Sequence, residues 1–66
     1  MPQRGEDGIL LEFQQIGAIV KVSAIDPISL TEVSVQGPAR AGQEALARTA
    51  IAKLRYVLSK RQQSGR

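Results

Sequence analysis

Apolar and polar residues alternate along the first half of this chain and recur every three or four residues along the second, and the change falls near Gly37-Pro38. Alternation marks half-buried strands; the longer period marks an amphipathic helix. The first predicted strand covers about residues 9–15, with Ile9, Leu11 and Phe13 on one face and Leu10, Glu12 and Gln14 on the other. The second covers about residues 18–25, with Val20, Val22 and Ala24 facing one way and Ile19, Lys21, Ser23 and Ile25 the other. The third covers about residues 31–36, with Thr31, Val33 and Val35 inward and Glu32, Ser34 and Gln36 outward.

The connections follow from turn chemistry. A one-residue slip would flip every side chain, so matching the apolar faces of the first two strands requires an even-numbered loop. A two-residue loop at Ile16-Gly17 pairs Phe13 with Val20 but pushes a β-branched residue toward positive φ. A four-residue loop over residues 14–17 puts Gly17 at that position, and is preferred. Asp26-Pro27-Ile28-Ser29 reads as a type I turn, because proline presets φ at the second position and Asp is favoured at the first. Gly37-Pro38 breaks the sheet.

A helix should begin between Ala39 and Gln43 and end near Arg61. No Ser, Thr, Asp or Asn stands ready to cap it, which leaves Gly42 as a weak N-cap. Glu44 in its first turn and Lys60-Arg61 in its last suit the helix dipole. On a helical wheel Leu46, Ala47, Ala50, Ile51, Leu54, Val57 and Leu58 fall in an arc of about 140°. Arg48, Thr49, Ala52, Lys53, Arg55, Tyr56, Ser59 and Lys60 cover the rest. The expected fold is α+β: a three-stranded antiparallel meander with one C-terminal helix on its inner face, a βββα domain over residues 9–61. Phe13, the one large ring on that face, should meet Leu54 or Leu58. Residues 1–8 and 62–66 read as disordered tails.

Composition narrows the chemistry. The 66 residues make one small domain with a marginal core, and the chain contains neither cysteine nor histidine. That removes disulfides, thiolate metal sites, the commonest metal ligand and the commonest general base. The longest apolar run, Ala18-Ile19-Val20, is too short to span a membrane, and the polar start lacks a signal-peptide core. A cytoplasmic location is expected. Charge divides with the pattern: residues 1–37 carry a net −3 and residues 38–66 a net +6.

Glu12-Phe13-Gln14-Gln15-Ile16-Gly17, Val20-Lys21-Val22-Ser23-Ala24-Ile25-Asp26-Pro27, Thr31-Glu32-Val33-Ser34, Gly37-Pro38 and Lys53-Leu54-Arg55-Tyr56-Val57-Leu58 resemble a short bacterial domain family of unknown function. The resemblance covers about residues 9–60 and implies a free-standing small protein with no assigned activity. Relatives in that family often place a capping residue and a proline at the helix start, where this chain has Ala41-Gly42. Some carry the label serine hydroxymethyltransferase. That chemistry needs a pyridoxal phosphate pocket with a Schiff-base lysine, for which a chain of this size has no room.

Four side chains come nearest to a catalytic set: Glu12, Lys21, Ser23 and Glu32 on the outer sheet face. They read as a solvated cross-strand charge pattern instead, so the chain is expected to be no enzyme. No cofactor is implied. No metal is implied either, because Asp26 and Glu32 are isolated and no EF-hand spacing occurs. The helix carries Arg48, Lys53, Arg55 and Lys60 as candidate phosphate contacts, and pI ≈ 10.0 suits a nucleic acid. Yet Tyr56 is its only aromatic, and stacking platforms need several. Membrane-surface binding would need an apolar helix face that the sheet already claims.

The outer sheet face is the other candidate. Leu10, Ile16, Ile19 and Ile25 stand where a free sheet should carry polar residues. Leu10, Ile19, Lys21 and Ile25 are therefore the candidate protein interface. The expected role is a non-catalytic interaction module that binds itself or another protein as a homo-oligomer or an accessory subunit. Nucleic-acid binding by the helix is the alternative. Residues 31–36 also form a sheet edge with Glu32 its only guarding charge, which gives edge pairing as a second route to a dimer.

Overall fold

A computed structural model describes residues 3–4 and 8–64, with side chains over 8–61. Three long antiparallel strands follow one another as β2 (Leu10–Ile16), β3 (Ile19–Asp26) and β4 (Thr31–Pro38). A two-residue strand, β1 (Gln3–Arg4), pairs with the start of β2, so the sheet order is β1-β2-β3-β4. A 3-10 turn, Ala39–Ala41, leads into the single helix α1 (Gln43–Ser64). This is the expected βββα arrangement, with β1 added at one edge. The tail read over residues 1–8 lies mostly outside the described residues, and Gln3–Arg4 within it form β1. The helix runs through Ser64, past the expected end at Arg61, which leaves only residues 65–66 of the second tail outside the described residues.

The alternating faces hold. Ile9, Leu11, Val20, Val22 and Ala24 are buried on the inner face, and Ala50 and Leu54 of α1 close over them. Leu46, Ala47, Ile51 and Leu58 pack half-buried around that cluster, while every residue assigned to the polar side of the helix is exposed. The helix lies across β3 and β4. Phe13, out on β2, is consequently only half-buried against the core.

Two local expectations are corrected. The first hairpin turns at Gly17-Ala18, so that Ile16 pairs with Ile19, Phe13 with Val22 and Leu11 with Ala24. Gly17 sits at φ 60° in the first central position, the residue choice of a type II′ turn. Ile16 stays in the strand, and the strain that counted against a two-residue loop never arises. The faces survive because the shift in register is even.

The second correction concerns Gly37-Pro38, which continue β4 opposite Val20 and Ile19. The Ala39 amide donates to the Ala18 carbonyl (2.7 Å), so alternation turns the odd-numbered amides of β4 toward β3 and the even-numbered positions outward. Pro38 therefore stands where a missing N–H costs no ladder bond on an edge strand. Gly37 admits the helix: a Cβ there would lie 2.7 Å from Leu46 Cδ2. Gly42, at φ 92° and ψ 137°, holds a conformation open to glycine alone, and its carbonyl accepts the Leu46 amide (3.3 Å) as N-cap.

Candidate interaction surface

The outer face of the three long strands is a grid of four rows, fixed by the register. At the hairpin tip stand Ile16, Ile19 and Pro38; next come Gln14, Lys21 and Gln36; then Glu12, Ser23 and Ser34; and at the far end Leu10, Ile25 and Glu32. The helix lies on the opposite face. Ile16 and Ile19 are 66% and 46% exposed and directly paired, whereas Leu10 and Ile25 are half-buried against each other.

Of the expected interface residues, Leu10 and Ile25 come together, and Lys21 lies between them and Ile19. The apolar positions form two clusters with a polar middle, not one patch centred on β3. Ile16 and Pro38 belong to the tip cluster. Alternation already places Ile16 on this face; Pro38 joins it because β4 runs on through Gly37-Pro38 instead of stopping there.

The same geometry places the nearest catalytic set in three adjoining rows of this face. Glu12 stands opposite Ser23, but Ser23 is only 6% exposed and closed to a substrate. Lys21 is one row away, opposite Gln14 and Gln36, and Glu32 is at the end row. Among the described residues, no group of three or more His, Cys, Asp or Glu side chains could hold a metal ion. No helix among them is long and apolar enough to cross a membrane.

The helix cations have local duties. Arg48 pairs with Glu44 one turn earlier (3.8 Å), an exposed contact of small energetic weight. Lys53 reaches across to β4 and donates to the outward-facing Ser34 carbonyl (3.3 Å). It therefore guards the edge that Glu32 was expected to guard alone. Lys60 lies over the Tyr56 ring, 5.8 Å from its centroid. Arg55 and Arg48 share a shallow cavity of about 200 Å³ with Ile51 and Ala52. The four candidate phosphate contacts are thus divided between two flanks of the helix.

The β3–β4 turn carries a feature that alternation does not signal. Ile28 is 92% exposed and Leu30 81%, and Leu30 holds φ 60°, a left-handed conformation that a Leu side chain resists. The turn is pinned from several sides. The Leu30 amide donates to the Asp26 carbonyl (2.8 Å), and the Ile28 and Ser29 amides donate to the Asp26 carboxylate (3.4 and 3.3 Å). Ser29 Oγ lies 2.7 Å from Asp26 Oδ2 and 2.9 Å from Thr31 Oγ1. Its one proton goes to the carboxylate, so Thr31 donates to Ser29 while Arg61 donates to Thr31. The Ser29 hydroxyl is the main cause that lowers the Asp26 pKa; partial desolvation opposes it, and the two amides add to the lowering. A chain of hydrogen bonds thus ties the last turns of α1 to this loop, beside an open cavity of about 470 Å³ that Leu58 also lines.

Fold and surface together define a two-layer α+β domain whose sheet is covered by its helix on one face only. The chain belongs to a family of unknown function: residues 6–62 match the family described as Domain of unknown function (DUF6898). No curated protein and no solved structure matches it.

Proposed function

We propose that this protein is a non-catalytic interaction module that self-associates through the outer face of its sheet. One observation carries the reading: the directly paired, exposed Ile16 and Ile19 at the tip of a sheet face that the helix does not cover. Apolar residues of that size, grouped on a protein surface, favour contact with another apolar surface. A non-catalytic role fits the buried Ser23 and the absence of histidine and cysteine from the chain.

Phosphate binding by the helix has less support, because Lys53 is engaged at the β4 edge and the candidate cations are divided between two flanks of the helix. The two readings differ in their response to salt. Binding to phosphates weakens steeply as salt rises, whereas apolar association does not. Sedimentation at about 100 mM and about 500 mM salt, a range that changes screening strongly, should show concentration-dependent association in both buffers. The pair Ile19→Lys and Ile25→Lys, neither facing the helix, should keep the fold and lose the association. A folded wild type that stays monomeric throughout, or an undiminished double variant, would contradict the proposal.

A further inference from the structure

We infer that the occupant of the outer face is a second copy of this chain, stacked face to face with its strands running in the opposite direction about a twofold axis. The inference rests on the self-association proposed above and specifies its geometry. In aligned face-to-face packing two sheets keep their strands within about 30° of one another, which gives two arrangements to compare: strands reversed or strands aligned.

With strands reversed, the tip row of each copy covers the far row of the other. Ile16 then lies over Leu10 and Ile19 over Ile25, apolar on apolar, while on β4 Pro38 lies over Glu32. In the middle, Gln14 faces Glu12 of the other copy, and Lys21 reaches the same carboxylate diagonally. Every charge in the centre of the seam has an opposite or polar neighbour. With strands aligned, Ile19 meets its own copy, but Lys21 falls on Lys21 and Leu10 falls on Glu32. An apolar side chain falls on the Glu32 carboxylate in either arrangement, so the like charges set face to face are what oppose the aligned one. The placement of Lys21 thus selects one geometry from a single face.

Area sets the strength. A face three strands wide and eight residues long measures about 14 by 26 Å, or about 400 Å² in flat projection. Standard stable interfaces use ~800 Å² per partner, so the association is reversible at laboratory concentrations.

The chain has no cysteine, so single thiols can report the geometry. Facing sheets lie about 10 Å apart, which is too far for a direct disulfide but within reach of a short bis-maleimide. Reversed strands predict that Ile19→Cys mixed with Ile25→Cys cross-links, while either variant alone does not. Lys21→Glu should weaken association about tenfold by placing carboxylates together, and Lys21→Glu combined with Glu12→Lys should restore it. Circular dichroism melts confirm that each variant folds. Cross-linking of Ile19→Cys with itself would overturn the geometry and leave the proposed interface standing. Association with no cross-link in any combination would also overturn it. A folded wild type that never associates would overturn the interface and the geometry together.

Discussion

Asp26 and Leu30 show the two sides of reading a turn residue by residue. Asp26-Pro27 announces its turn, because the proline fixes φ and the carboxylate is placed to collect the amides and the hydroxyl that follow. That role has a pH signature. The folded pKa of Asp26 is lowered, so its contribution is present above the unfolded value near 3.8 and is lost as pH falls through the folded pKa. The melting temperature of Asp26→Asn should therefore lie below wild type at neutral pH and converge on it below about pH 4; a constant gap would contradict this. Leu30 gives no such notice. A left-handed backbone is a property of glycine and asparagine, and nothing in a leucine marks it. Leu30→Gly should raise stability by about 1 kcal/mol, the cost of a side chain in that region. Chemical denaturation measures it, and a loss of stability would show that Leu30 makes contacts its exposure conceals.

The elements were legible in the sequence, and their junctions were less so. Alternation assigned the inner and outer faces of β2, β3 and β4 correctly, because burial on one side of a pleat leaves a period of two. The helix arc was legible for the same reason at its own period. The register was not, since face matching admits any even shift and only the backbone of Gly17-Ala18 chooses among them. Gly37-Pro38 looked like a stop and is instead the last pair of an edge strand, where the lost N–H faces outward. Gly37 is also where the Leu46 side chain of the helix occupies the space a Cβ would need. Gly37→Val should cost about 1–3 kcal/mol through overpacking against Leu46, and Gly37→Ala less, because the Leu46 side chain can turn aside. Equal melting temperatures for wild type and Gly37→Val would contradict this close approach. Lys53 was read as one more helix cation, yet its ammonium covers a carbonyl on the β4 edge. A contact between positions 19 residues apart leaves no trace in local pattern.

At the scale of the whole molecule, one helix covers one face of a small sheet and leaves the other face uncovered. The sequence showed that isoleucines stood on that face; the structure divides them into two apolar ends separated by Lys21, Glu12 and Ser23. That division makes the face complementary to its own reverse, which a single central patch would not. The measurement that tests the account most directly is the set of backbone amide shifts of the wild type across about a hundredfold dilution through the micromolar range. The account predicts shifts that move with concentration at Ile16, Ile19, Lys21, Ser23 and Ile25 while those of Arg48, Arg55 and Lys60 stay fixed. Movement confined to the helix, or a spectrum unchanged at every concentration, would contradict it.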